Sequence, residues 1–161
     1  MKILSSTALC LVIVFSLSSC GFLIKSIIKK DNENVPVDFQ KDKTPVLIVK
    51  WRKKIDKKVE GYFKQYYKGE YLVVSNEELQ TKYSDVSKYR YLFGSTRHIT
   101  HYESTTPGEA GTSAAGLSFN IYDRQEEKTY DTGVESGTSW KLIAKTYIKK
   151  VDQTREKNLG K

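Results

Sequence analysis

The sequence predicts a single α/β domain with a mixed sheet packed by helices, in the order β-α-β-α-β-β-β-α. Three observations carry that prediction. The unbroken apolar runs Val46–Val49 and Tyr71–Val74 have the pattern of strands buried on both faces. Apolar residues at helical spacing separate them, as a parallel β-α-β unit requires. After Tyr89 the period changes to two, and a last helical stripe closes the chain.

Taken in order, the domain is expected to begin near Pro45, with a first strand ending at Trp51. Ile55, Val59, Tyr62, Phe63, Tyr66 and Tyr67 then form one face of a helix whose other faces carry lysines, and Gly69 is placed as its C-terminal cap. These aromatic residues are expected in the core and not in a ring-binding site. Tyr71–Val74 follows as a second buried strand. Ser75 or Asn76 caps a second helix with Glu77 and Glu78 in its first turn and Leu79, Tyr83 and Val86 facing inward.

Arg97, Ile99, His101 and Glu103 alternate with His98, Thr100 and Tyr102, as on a strand with two distinct faces. Leu117, Phe119 and Ile121 alternate in the same way. Asp123–Glu127 is expected to turn, and Lys128–Thr132 to return as a hairpin partner. Trp140, Ile143, Ala144, Tyr147, Ile148 and Val151 mark the closing helix, capped by Thr138 or Ser139. The domain is therefore expected over residues 45–152, with 153–161 a charged tail that frays.

The first twenty residues carry a different signal. Lys2 precedes an apolar run from Ile3 to Leu17, which at fifteen residues is short for the roughly 20 that span a bilayer. Leu17-Ser18-Ser19-Cys20 resembles the lipobox of bacterial lipoproteins. That resemblance implies a diacylglyceryl group on the Cys20 thiol and removal of residues 1–19. Lys2 is the only charge lost with them, so the formal +8 becomes +7, and Cys10 also leaves. No free thiol then remains for catalysis. Gly21, where an aspartate would retain such a protein in the inner membrane, implies the outer membrane.

Residues 20–44 are expected to form the lipidated, membrane-proximal segment and a linker. Gly21–Lys30 mixes Phe22, Leu23, Ile24, Ile27 and Ile28 with three lysines and reads as a membrane-interface helix or an unstructured spacer. Asp31–Thr44, polar and carrying Pro36, reads as a tether. With 27 basic against 19 acidic residues the chain is strongly basic. In an envelope protein the expected electrostatic partners are anionic lipid, lipopolysaccharide or acidic protein faces, not nucleic acid.

Few residues suggest chemistry. His98 and His101, the two histidines, are three apart on a strand and point to opposite faces, which does not favour a metal. Neither a Gly-x-Ser-x-Gly elbow nor a phosphate-binding glycine pattern occurs, and no cofactor is expected. Thr105–Gly116, with Gly108 and Gly111 among small residues, is expected to be a loop contributing little to stability. Thr105, Gly108, Gly111 and Gly116 are its candidate partner-contact positions.

The strand PVLIVKW, the hairpin LSFNIYDRQEEKTYDTG with Asp123 in its turn, and the closing helix SWKLIAKTYIKKV are similar to a group of bacterial envelope domains. These are the amino-terminal domain of the Tol-system periplasmic propeller protein, the curli-secretion lipoprotein, and lipoprotein activators of penicillin-binding proteins. The resemblance covers residues 45–151 and implies non-catalytic protein–protein work in the envelope, without assigning site residues. The expected function is a lipid-anchored envelope protein that binds another protein in assembly or maintenance of the outer membrane. The alternative is an envelope enzyme or small-ligand binder using His101 and Glu103.

Overall fold

The computed structural model describes residues 21–160 apart from 32, 107 and 109. The expected signal segment, the lipobox-like run and the expected lipidation at Cys20 lie outside the described residues. Residues 21–30 form helix α1, followed by β1 (Val46–Val49), α2 (Lys53–Tyr66), β2 (Tyr71–Val74) and α3 (Asn76–Thr81). Then come β3 (Tyr91–Tyr102), β4 (Thr112–Asp123), β5 (Lys128–Asp131) and α4 (Trp140–Asn158). From β1 onward this is the expected order.

The five strands form one mixed sheet in the order β2-β1-β3-β4-β5. β1 runs parallel to both β2 and β3, while β3–β4 and β4–β5 are antiparallel. A right-handed crossover helix is the ordinary way to join parallel neighbours, and α2 fills that role between β1 and β2. Val46 and Ile48 belong to the main core with Phe63, Phe93, Phe119, Ile143 and Tyr147. Leu47 points to the other face and packs with Val74 and Tyr83. β1, central and flanked by two strands, is thus buried on both faces, as its unbroken apolar run requires.

Several boundaries differ from expectation, each for a local reason. β2 is an edge strand, so Leu72 stays partly exposed despite the apolar run. α2 stops at Tyr66, and Tyr67 is already extended (φ −106°, ψ 126°), so Gly69 does not cap it. Gly69 answers a packing need instead: a Cβ there would lie 2.7 Å from Arg155 Cδ and 2.8 Å from the Tyr67 ring. Ser75, one of the two expected caps, forms a capping box with Glu78 at the start of α3, but the helix ends after six residues. Beyond it the Asp85 side chain accepts from Ser87, and Arg124 collects the carbonyls of Tyr83, Ser84 and Tyr89, which holds the segment out of helix.

The two ends of the domain need the larger corrections. Asp31–Thr44 is not a free tether along its length: Val35 and Phe39 are buried, and the Phe39 ring sits 4.8 Å from that of Tyr91. Side chains far along the chain hold its backbone. Tyr147 Oη donates to the Asn34 carbonyl at 2.6 Å, and Asn158 Nδ2 donates to that of Phe39 at 3.0 Å. Lys150 Nζ donates to the carbonyls of Ile28 and Asp31 and closes the C-terminal end of α1. Burial lowers the pKa of that ammonium, with Asp31 opposing. Residues 21–44 therefore belong to the domain, which does not begin at Pro45.

At the other end α4 continues to Asn158. Asp152 and Arg155 are buried, and Asp152 Oδ1 accepts from the Lys68 N–H (2.9 Å) and from Arg155 Nε (3.0 Å). The expected fraying from residue 153 is replaced by docked helix.

Candidate functional site

The outstanding feature is the length of β3 and β4. β1 pairs with β3 only as far as Phe93, and β5 pairs with β4 only from Asn120. From Ser95 to Tyr102 and from Thr112 to Ser118 the two strands pair chiefly with each other, forming an arm that extends about 25 Å at roughly 3.3 Å per residue. One bridge, Leu117 with Ser136, covers the base of the arm on the β4 side. Among the described residues no strand pairs with the β1 side of β3 beyond Phe93. Its outward N–H and C=O groups form an open edge.

The arm changes the reading of the glycine-rich stretch. Thr112 through Gly116 are strand and not loop, with Gly116 opposite His98 and Thr112 opposite Tyr102. Of the candidate contact residues, Thr105, Gly108 and Gly111 lie in the exposed tip between the strands, while Gly116 lies in β4, in the body of the arm. Gly108 takes a left-handed conformation (φ +88°) that glycine adopts without strain. Along the arm Ile99 and Tyr102 are exposed apolar side chains on opposite faces.

His101 and Glu103 are not brought together as a site. His101 Nδ1 lies 2.8 Å from Ser113 Oγ, its cross-strand neighbour, and Glu103 falls beyond the end of β3. Among the described residues no hydrogen bond or ion pair joins the two. The structure instead gathers residues around the other histidine. His98 Nε2 is 3.0 Å from Ser118 Oγ, and His98 Nδ1 is 3.4 Å from Glu135 Oε2. Ser118 Oγ donates to Asp131 Oδ2 at 2.9 Å. Sequence reasoning missed this group because β3, β4, β5 and the 133–139 segment meet only through strand register.

The order serine, imidazole, carboxylate resembles a hydrolase triad, and proton accounting decides against it. An ionised Asp131 only accepts, so the single Ser118 hydroxyl proton goes there. His98 Nε2 must then donate to Ser118, whereas a general base would have to accept from it. Ser118 is also only 1% exposed, which leaves no approach for a carbonyl carbon. The chain Glu135–His98–Ser118–Asp131 fastens the base of the arm to β5 and to the crossing segment.

A second polar cluster lies under the hairpin turn. Asp38, Asp123 and Glu126 bring carboxylate oxygens within 4.8 Å of one another. A cation already sits among them. Arg90 Nε and Nη2 donate to Asp123 (2.7–3.0 Å), and Nη1 donates to Asp38 at 2.8 Å. Burial raises the Asp123 pKa, but the Arg90 bonds and the N–H groups of Glu126 and Gln125 outweigh it and hold the carboxyl below its usual range. The cluster locks the 31–44 segment and the β4–β5 turn to the start of β3.

Of the aromatic residues expected on the helix stripe, Phe63 of α2 and Tyr67 just beyond it are in the core, as expected. Tyr62 and Tyr66 are only partly buried, and Lys145 and Lys149 from α4 lie 5.1 and 4.5 Å from the centre of the Tyr66 ring. Comparison with family models, with curated proteins and with solved structures finds no match for this chain. The features above define a mixed α/β domain with a projecting two-stranded arm.

Proposed function

We propose that this chain is a lipid-anchored cell-envelope lipoprotein, of the outer membrane, whose α/β domain binds another protein without catalysing a reaction. The contact surface is the β3–β4 arm. Its open β3 edge carries the proposal: from Gly94 to Tyr102 the outward backbone groups have no strand partner among the described residues, and an extended segment of a second envelope protein can add to them as a further strand. Residues 94–102 and 112–118 include Arg97 and both histidines and no carboxylate, which suits a neutral or acidic segment. The role is in assembly or maintenance of the outer membrane.

A photoreactive side chain at Thr100, in cells with native membranes, tests the contact. One discrete crosslinked protein is expected from Thr100, and none from the same probe at Glu127, which lies in the opposite turn of the sheet. Equal crosslinking at both positions, or none at Thr100, would overturn the assignment.

The anchor is tested separately. Cys20→Ser is expected to abolish palmitate incorporation and to leave an uncleaved or soluble chain, because Cys20 is the acceptor thiol of the Leu17–Cys20 motif. Palmitate labelling that persists in this variant would remove the lipoprotein reading.

A further inference from the structure

The charge of this protein is sorted by layer. α1, α4 and α2 lie side by side on one face of the sheet, with α4 between the other two. Gly21 of α1 approaches Leu142, Lys150 closes the end of α1, and Lys145 and Lys149 reach Tyr66 of α2. These three helices hold 14 basic and 4 acidic residues, while the rest of the chain holds 13 basic and 15 acidic. The whole positive excess of the protein thus sits in one helical layer.

Apolar side chains stand exposed in the same layer. α1 buries Ile24 and Ile28 against the core and turns Phe22 (72% exposed), Leu23 (58%) and Ile27 (49%) outward. Val37, just beyond it, is 80% exposed. Between α1 and α4 runs a cleft of about 340 Å³ lined by Lys25, Lys29, Lys145, Lys149 and Lys150 and by no carboxylate. Exposed apolar groups beside a carboxylate-free lysine cleft match the two parts of a membrane surface: acyl chains and anionic phosphate.

We propose that the α1–α4–α2 layer docks flat on an anionic phospholipid surface. Phe22, Leu23 and Ile27 enter the acyl boundary, and the cleft lysines hold lipid phosphates. This rests on the anchored reading above, because residue 21 directly follows Cys20 and an anchor there holds α1 at the bilayer. Docking then turns the opposite face of the sheet, with α3, away from the lipid and keeps the arm edge free for its partner.

The test places the full chain in vesicles of phosphatidylcholine alone or with about one-third phosphatidylglycerol, and maps lysine acetylation by a membrane-impermeant reagent. Lys25, Lys29, Lys53, Lys57, Lys145 and Lys149 are expected to react about fivefold more slowly in the anionic vesicles. That is the factor for a docking gain of about 1 kcal/mol per surface lysine. Lys82, Lys88 and Lys128, outside the layer, keep their rates. The protection should vanish in 1 M salt, where screening acts within about 3 Å. Ile27→Ser, an exposed position, should reduce protection of Lys25 and Lys29 without changing the melting temperature. Equal rates in the two vesicle types, protection that survives 1 M salt, or equal protection of the control lysines would overturn the proposal. Loss of the anchor reading shows separately, as a Cys20 peptide of unmodified mass, whatever the labelling ratio.

Discussion

Arg90→Met is expected to lower the unfolding free energy by about 3–5 kcal/mol at pH 7, enough to threaten a domain of ordinary stability. The guanidinium donates three bonds to Asp123, whose side chain is fully buried, and one to Asp38. Methionine fills the volume but leaves the Asp123 carboxylate desolvated, with only the N–H groups of Gln125 and Glu126 against it. The effect has a pH signature whose sign follows from the Asp123 shift. In the native protein that carboxyl titrates below its unfolded value, so its contribution is present above about pH 4 and fades as pH falls through the depressed value. Without Arg90 burial dominates and the carboxyl takes up a proton more readily. The variant's deficit should therefore shrink between pH 7 and pH 4, read by urea unfolding at both. Arg90→Met with Asp123→Leu should recover most of the loss, since a paired replacement leaves no orphan charge. A deficit under about 1 kcal/mol, or one independent of pH, would show that the pair does not hold the turn.

The order of elements could be read from the sequence because it depends on periodicity. Val46–Val49, the stripe from Ile55 to Phe63, and the alternation through Phe119 and Ile121 each state their burial within a few residues. What escaped depends on contacts between distant residues. Phe39 offers one ring in a polar stretch, and contacts with distant residues, among them Tyr91, Arg90, Tyr147 and Asn158, turn that stretch into part of the domain. Asp152 and Arg155 look like a solvated helix end until each other and the Lys68 backbone satisfy them.

The arm escaped for a related reason. Thr112–Gly116 has threonine, serine, alanine and glycine, whose intrinsic strand preference is weak overall, and only the ladder to His98–Tyr102 makes it a strand. The site residues divide along the same line. His98 and His101 could be assigned to opposite faces from spacing alone. Their true partners, Ser118 and Ser113, required the register of β3 against β4. The lysine count was plain in the composition. Its concentration in one layer followed only from the packing of α1 and α2 on either side of α4.

Phe63→Ala is expected to cost about 3–5 kcal/mol, the second large effect in the domain. Phe63 is fully buried at the junction of α2 with the sheet. Its ring lies 4.8 Å from Phe93, 5.1 Å from Tyr67 and 5.3 Å from Tyr71, edge-on or tilted to each. Truncation removes the transfer free energy of the ring and leaves a cavity that rigid aromatic walls cannot close. Tyr62, its neighbour on the same helix, is the internal comparison. It is only half-buried, with its nearest ring partner, Tyr66, at 6.3 Å, so Tyr62→Ala should cost less than about 1 kcal/mol. Urea unfolding of both variants should shift the midpoint in proportion with an unchanged slope, because the extent of surface exposed on unfolding stays the same. If the two substitutions cost the same, the α2 stripe does not face the sheet as described, and the aromatic residues would return to being candidates for an exposed ring-binding surface.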